Sequence, residues 1–155
     1  MYIPYARQKR ALPLLYYYWA RCAHALMLSA DGIEAIARDL MAELGAGYAE
    51  SIYRNALYTE LVRLDPRTVM EQSVPIVFRG QYLGVCRADI VTAEYVLEIK
   101  AVRAVPPGVE HQLRKYLKHL AEAEPLVPRA GLVLNFNQST ETVDALLFPP
   151  YVRSS

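Results

Sequence analysis

The fold is decided by the stretch Tyr95-Val96-Leu97-Glu98-Ile99-Lys100-Ala101-Val102. Its odd-numbered positions are all apolar, whereas its even-numbered positions carry Glu98 and Lys100 between two valines. Alternate side chains of a β-strand lie on opposite faces, so this pattern predicts a strand with one buried and one half-buried face. Glu98 and Lys100 are then neighbours on the half-buried face. The alternative is an ordinary ion pair on a solvated sheet surface, which contributes little.

A second apolar run, residues 82–91, precedes this strand and is separated from it by a short turn around Ala93-Glu94. A two-residue turn at those positions would pair the two strands antiparallel and place Asp89 opposite Glu98. Two facing carboxylates destabilise a half-buried sheet unless a cation neutralises them, and oxygen ligands of this kind suit Mg²⁺ or Mn²⁺. The register therefore predicts a divalent-metal site, with Asp89 as a simple strand-end residue as the alternative.

Apolar spacing elsewhere in the chain predicts helices and further strands around this hairpin. The first helix starts at a capping box formed by Asp31 and Glu34 and ends at Gly45 and Gly47. The other predicted elements are helices at about 48–64 and around 113–120, and strands at 73–78, 131–136 and 143–148. The order ααβββαβ, with a closing strand, predicts an α/β domain in which helices flank a mixed central sheet.

Composition limits the chain to one domain of ordinary size. It has 155 residues, of which 54% are hydrophobic, enough for one core. Cys22 and Cys86 are far apart and have no Cys/His cluster near them, so neither a disulfide framework nor a zinc site is indicated. The net charge is +1, but the first 30 residues contribute only cations; the rest carries 13 basic against 16 acidic residues. Any nucleic-acid contact must therefore come from a local basic patch.

Residues 1–28 are basic, free of acidic residues and rich in tyrosine, and we predict that they form an extension to a domain at 29–155. A secretory signal and an organellar transit peptide fit less well, because the apolar stretch is interrupted by Pro13 and serine is scarce. Translation starting at Met27 is a further alternative. No stretch reaches the roughly 18 to 20 apolar residues of a membrane span, so a soluble, intracellular protein without membrane contact is expected.

Three more polar residues lie at positions that suggest a site. Glu50 shares a helix face with Tyr53 and Leu57, where a buried carboxylate needs a metal, a cation or hydrogen-bond donors. A carboxylate at the helix start, favoured by the helix dipole and left in water, is equally compatible with the spacing. Gln112 and Tyr116 are one helical turn apart and can orient a carboxylate, a lysine or a phosphate, or simply pack together.

Together these residues resemble the GxxExxY family of the PD-(D/E)XK nuclease superfamily. The motifs that carry the resemblance, in chain order, are Gly47-Tyr48-Ala49-Glu50-Ser51-Ile52-Tyr53, Arg87-Ala88-Asp89-Ile90-Val91, Leu97-Glu98-Ile99-Lys100-Ala101, Gln112-Leu113-Arg114-Lys115-Tyr116-Leu117 and Gly131-Leu132-Val133-Leu134-Asn135-Phe136. The resemblance implies a restriction-endonuclease-like PD-(D/E)XK core and a metal-dependent nuclease that hydrolyses DNA phosphodiester bonds.

The resemblance also implies roles for individual residues. Asp89, Glu98 and the main-chain carbonyl of Ile99 would hold Mg²⁺ or Mn²⁺, with Glu50 completing the acidic shell. Lys100 would orient the attacking water or stabilise developing negative charge. The Gln112 and Tyr116 side chains would position the lysine or a DNA phosphate.

Two other functions stay open at this stage. The first is a non-catalytic module that binds nucleic acid or a protein partner, which the acidic balance of residues 31–155 favours. Cations for a local patch are available at Arg79, Arg87, Arg103, Arg114, Lys115 and Lys118. The second is a homo-oligomeric structural protein that uses the tyrosine-rich N-terminus as its interface.

Overall fold

Three helices and five strands make up the part of the chain that the structure, a computed structural model, describes, residues 28–152. In chain order they are α1 (Ala30–Leu44), α2 (Glu50–Leu64), β1 (Val69–Phe78), β2 (Gln81–Val91), β3 (Tyr95–Lys100), α3 (Val109–Ala123), β4 (Ala130–Asn137) and β5 (Thr142–Phe148). This confirms the predicted α/β class and element order, including the closing strand. The predicted N-terminal extension, residues 1–28, and the start at Met27 lie outside the described residues except for Leu28, which is buried in the core.

The five strands form one mixed sheet in the order β1-β2-β3-β4-β5. The pairs β1–β2, β2–β3 and β4–β5 are antiparallel, whereas β3 and β4 are parallel. Parallel neighbours need a crossover connection, and α3 provides it. Strand β4 is buried from Gly131 to Asn137, as the nearly unbroken apolar run 131–136 predicted.

Helices cover both faces of the sheet. On one face, α1 and α2 bury Ile33, Met41, Tyr53 and Leu57 against a cluster that includes sheet residues of β2, β3 and β4. On the other face, α3 packs its apolar stripe over a second cluster, which contains Val96 of β3. The central strands therefore have helices above and below, which is why their sequences are largely apolar on both faces. No helix within residues 28–152 combines the length and the apolar character needed to cross a membrane.

The first two helices begin at residues other than those predicted. Helix α1 starts at Ala30 because the hydroxyl of Ser29 accepts a hydrogen bond from the Gly32 amide at 3.1 Å, so the predicted capping box at Asp31 is wrong. Helix α2 starts at Glu50 rather than near residue 48, since its N-cap residue Ala49 is still extended, with φ −66° and ψ 150°.

Two strand ends also differ from the prediction. Strand β1 starts at Val69, four residues before the predicted start at residue 73, because residues 69–72 continue the antiparallel ladder with β2. Strand β3 ends at Lys100 rather than at 102. Beyond Lys100 the side chain of Asn135 replaces the ladder: its Oδ1 accepts from the Val102 amide at 3.0 Å and its Nδ2 donates to the Val102 carbonyl at 3.1 Å. A side chain therefore satisfies main-chain groups that strand pairing would otherwise use.

Candidate active site

The pairing of β2 with β3 has the predicted register and then stops. Ile90 pairs with Leu97 and Val91 with Val96, which brings Asp89 level with Glu98. The main-chain ladder does not continue to that position. Instead, the Ile99 amide donates a hydrogen bond of 2.8 Å to Oδ2 of Asp89. The Asp89 carboxylate thus occupies the place of a neighbouring strand and is fixed against β3.

A change in the alternation of faces at Asp89 directs its side chain toward Glu98. Ala88 and Val91 both belong to the cluster beneath α3, although Ile90 belongs to the cluster on the opposite face. Regular alternation would place Ala88 and Ile90 on the same face. The strand therefore shifts phase by one residue here, and Glu71, which lies across from Asp89 in β1, has a φ of 53°. Asp89 consequently lies in the gap between β2 and β3, where Arg54 of α2 contacts it and where its charge, like that of Glu98, acts on the Tyr116 hydroxyl of α3.

Glu98 is the most buried charged residue of the group, at 2% exposure. Its Oε1 accepts a hydrogen bond from Lys100 Nζ at 2.6 Å, whereas its Oε2 is buried without a hydrogen-bond partner. Burial raises the pKa of Glu98 from 4.5 to about 7; the charges of Asp89 and Glu50 add to this rise, and the Lys100 ammonium opposes it. The fold therefore holds the Glu98 carboxylate at a position where the Lys100 ammonium does not fully compensate for burial and for the neighbouring negative charges.

Lys100 lies between two carboxylates on the half-buried face. Burial alone would lower the pKa of Lys100, but its hydrogen bond to Glu98 and the charges of Glu98, Glu50 and Asp89 outweigh burial and raise it. The ammonium therefore stays charged at neutral pH. Its second carboxylate neighbour is Glu50, with Nζ and Oε1 separated by 3.7 Å.

Glu50 is the first residue of α2, and its side chain is 41% exposed. It does not belong to the buried stripe of that helix, which consists of Tyr53, Leu57 and Leu61. The suggestion of a buried carboxylate is therefore wrong, and the alternative of a helix-start carboxylate fits, because the positive end of the helix dipole favours it there. From this position Glu50 still reaches Lys100.

Gln112 and Tyr116 form a hydrogen-bonded pair on α3 above the same face. The Gln112 amide donates to the Tyr116 hydroxyl at 2.7 Å, and Tyr116 is buried at 5% exposure. Burial raises the pKa of the Tyr116 hydroxyl, the Gln112 bond lowers it, and the charges of Glu98 and Asp89 raise it further. The hydroxyl is thus neutral, lies within the electrostatic reach of both carboxylates and forms a polar wall of the site.

Most of the chain matches a known protein family. A family model described as the PD-(D/E)XK nuclease superfamily matches residues 29–145, most of the chain. The chain belongs to the PD-(D/E)XK nuclease superfamily. The match confirms the superfamily and the restriction-endonuclease-like fold, while the GxxExxY family stays a prediction. No curated protein and no solved structure shows significant similarity to the chain. Members are typically hydrolytic nucleases that use divalent metals, so this PD-(D/E)XK domain is expected to act on nucleic acid.

Arg54 is a residue of the site that the sequence reasoning missed. Its guanidinium lies 3.4 Å from Oδ1 of Asp89 and 3.3 Å from Oε1 of Glu71, and its Nε is buried without a partner. Arg54 follows Glu50 by one turn of α2, so the two side chains project toward the same end of the sheet. That spacing was the available signal. It was missed because nothing in the sequence places β1 and Asp89 beside this helix face.

The residues present fit a divalent ion held mainly by Asp89 and Glu98. The orphaned Oε2 of Glu98 is a buried anionic oxygen without a donor, and the adjacent Asp89 raises the pKa of Glu98 by charge repulsion. Hard oxygen donors of this kind suit Mg²⁺ or Mn²⁺. Among residues 28–152, no three His, Cys, Asp or Glu side chains form a preformed metal cage, and Glu50 contacts Lys100 instead. The fit therefore rests on two carboxylates, with the remaining ligands coming from main chain and water.

Proposed function

We propose that this PD-(D/E)XK domain is a Mg²⁺- or Mn²⁺-dependent deoxyribonuclease that hydrolyses phosphodiester bonds at the site formed by Asp89, Glu98 and Lys100. The observation that carries the proposal is the buried, unpartnered Oε2 of Glu98 beside a second carboxylate and a charged lysine. A buried carboxylate oxygen without a donor destabilises the fold, so its presence at this position points to a ligand that binds it. A cation that carries a phosphate is such a ligand.

The proposed ligands are the carboxylates of Asp89 and Glu98 and the main-chain carbonyl of Ile99, with Glu50 acting through water. When bound, a divalent ion lowers the pKa of a water ligand and stabilises negative charge on the phosphate. The Ile99 amide already orients Asp89. The side chain therefore loses its conformational entropy on folding and not when substrate binds. The acidic side chains alone would repel the phosphate, which is why the site also needs a fixed cation.

Lys100 is the proposed fixed cation. Its ammonium is charged at neutral pH and is anchored on Glu98 at 2.6 Å. It can donate a hydrogen bond to the attacking water and stabilise charge that develops on the phosphate oxygens. Tyr116, held by Gln112, offers a neutral hydroxyl donor near the same spot. We assign Gln112 and Tyr116 to positioning the lysine or a DNA phosphate.

A second candidate function is nucleic-acid binding without cleavage. The observation that favours it is the contact between Arg54 and Oδ1 of Asp89, since a guanidinium at this position neutralises a carboxylate that the metal would need. Such a domain would bind nucleic acid equally well with and without divalent ions. The catalytic proposal requires instead that the ion displaces Arg54 from Asp89 or shares that carboxylate with it.

The deciding experiment measures cleavage of circular, linear and single-stranded DNA, and of RNA, by the purified full chain with Mg²⁺, with Mn²⁺ and with EDTA. The test variants are Glu98→Gln and Lys100→Met, which keep the side-chain size and remove the charge. The matched control is Glu43→Gln, the same change at an exposed position on α1. Both test variants should lose about a hundredfold or more of the rate, and the control should lose none.

Thermal unfolding of each variant shows that the loss is not caused by misfolding. Cleavage that persists in Glu98→Gln at the rate of the unmodified chain would refute the proposed site. Metal-independent binding of DNA by a folded protein that cleaves none of the substrates would favour the binding module. Cleavage of RNA but not of DNA would leave the site intact and refute the assignment of DNA.

A further inference from the structure

A groove with a basic rim lies between α3 and the chain that follows β5. Its volume is about 420 Å³, which is within the range of ligand pockets. Four cationic or titratable side chains of α3 line it, namely His111, Arg114, Lys115 and Lys118. Their spacing of three and four residues places them on one stripe of the helix. That stripe extends over about 10 Å along the helix axis.

The cations of the groove are largely available to a ligand. Within the described part of the chain, neither Lys115 nor Lys118 forms an ion pair, and both are exposed. Arg114 is less available to a ligand, since its Nε lies 2.7 Å from Oε1 of Glu110 and its guanidinium packs over the Phe148 ring at 5.5 Å. Two free ammonium groups on one helix face in a domain with an acidic balance point to an anionic ligand.

The remaining wall of the groove is apolar and includes an aromatic ring. Leu117, Pro149 and Tyr151 contribute it, and Tyr151 is 37% exposed. A free phosphate or a duplex backbone would use the cations but would gain nothing from this wall. An unpaired nucleotide has both a phosphate and an exposed base face that stacks on aromatic rings, whereas duplex bases are already stacked on each other.

Helix α3 separates the groove from the site. Lys115 and Tyr116 are consecutive residues of α3 and project about 100° apart around its axis, so the basic stripe and the pair formed by Gln112 and Tyr116 lie on different sides of the same helix. That pair faces Glu98, whose charge acts on the Tyr116 hydroxyl. A strand whose phosphate lies at Glu98 would have to curve around α3 to reach Lys115.

We propose that the groove lined by Lys115, Lys118 and Tyr151 binds an unpaired nucleic-acid strand and makes single-stranded substrate the preferred one. The proposal rests on the proposed nuclease function for the direction of the strand, but not for binding itself. Of the basic residues available for a local patch, only those of α3 serve here; Arg79 is at the β1–β2 turn, where its guanidinium packs over Phe78 at 5.2 Å.

The test is fluorescence anisotropy of labelled oligothymidylate and of a duplex of equal length, with the full chain in EDTA so that no cleavage occurs. The test pair is Lys115→Gln with Lys118→Gln, and its control, with the same change in net charge, is Arg38→Gln with Arg63→Gln on α1 and α2. We expect the test pair to weaken single-strand binding at least about tenfold and to reduce the salt slope by about 1.4, since each lost phosphate contact contributes about 0.7.

A second set of variants examines stacking. Tyr151→Ala should weaken single-strand binding at least about fivefold, while Tyr151→Phe keeps the ring and the affinity. Tyr82→Ala, which removes an exposed tyrosine of the β1–β2 hairpin, serves as the control. The unmodified chain should prefer the single strand to the duplex by about tenfold, because only the unpaired bases reach the wall.

Three results would overturn the proposal: equal affinity for single strand and duplex, an effect of the lysine pair no larger than that of the arginine pair, or equally strong competition by polyglutamate. Failure of the catalytic proposal looks different. If groove binding is intact but no substrate is cleaved with Mg²⁺ or Mn²⁺, the binding site stands and the nuclease assignment fails. If cleavage is normal and the groove variants bind like the unmodified chain, only the groove assignment fails.

Discussion

Replacing Glu98 by glutamine should change how the stability of the metal-free protein depends on pH. Burial raises the pKa of this carboxyl from 4.5 to about 7 in the folded chain. Between these two pH values the folded state keeps the proton and the unfolded state releases it. The free energy of unfolding therefore falls as the pH rises from about 4.5, and the loss is complete above about pH 7. Below pH 4.5 the group contributes equally to both states.

The size of this loss follows from the change in pKa. One pKa unit corresponds to about 1.4 kcal/mol, so a rise from 4.5 to about 7 makes the folded protein about 3 kcal/mol less stable at pH 8 than at pH 4.5 through this group alone. The side chain is 2% exposed, so solvent screens little of the effect. A loss of this size is a large fraction of the stability of an ordinary domain.

Urea unfolding in EDTA at about pH 5 and about pH 8 measures the effect. The unmodified chain should lose stability between these pH values, Glu98→Gln should lose much less, and Glu43→Gln should behave like the unmodified chain. Saturating Mg²⁺ should reverse the trend in the unmodified chain, because the ion binds the deprotonated carboxylates. If the unmodified chain and Glu98→Gln lose the same stability with rising pH, Glu98 is not the strained carboxyl and the reasoning fails.

Three further predictions concern the residues that build the site. Gly131→Ala should destabilise the fold by about 1 to 3 kcal/mol in urea unfolding, because the new Cβ would lie 2.6 Å from a Leu113 carbon; no loss would mean that α3 shifts freely. Asn135→Ala should cost about 1 to 2 kcal/mol, since the partly buried main-chain groups of Val102 lose their partner, and Asn135→Asp should recover only part of this loss. Arg54→Met should cost about 2 kcal/mol in EDTA by leaving Asp89 without its cation, and saturating Mg²⁺ should recover most of the loss; an equal loss with and without the ion would contradict this.

The sequence predicted the parts of the fold that depend on local patterns. The period-two alternation of residues 95–100 and the short turn before them were sufficient to predict the strand register that brings Asp89 level with Glu98. The apolar run 131–136 was sufficient to place β4 inside the sheet, since a strand covered on both faces has no polar side. These inferences use only neighbours in sequence, which is why they could be made without the structure.

The parts that were missed depend on contacts between distant segments. Arg54 reaches Asp89 and Glu71, which lie 35 and 17 positions further along the chain, only because α2 crosses the sheet at this point. The phase change at Asp89 lies across from a positive φ at Glu71, and glutamate is a residue type that does not predict such a conformation. The sequence did not predict that Ser29 rather than Asp31 caps α1. Serine and aspartate are both good capping residues, and their spacing alone does not decide between them.

The geometry of β3 explains why three consecutive residues carry most of the proposed site. From Glu98 to Lys100 this strand pairs with β4 on one side, but on the other side its ladder with β2 has ended. The Asp89 side chain takes over there, accepting from the Ile99 amide at 2.8 Å. A carboxylate thus stands where a main-chain strand would otherwise lie, and one charged oxygen of Asp89 is fixed in place against β3. We therefore attribute the proposed metal site, at the centre of an otherwise apolar sheet, to the end of the β2–β3 ladder.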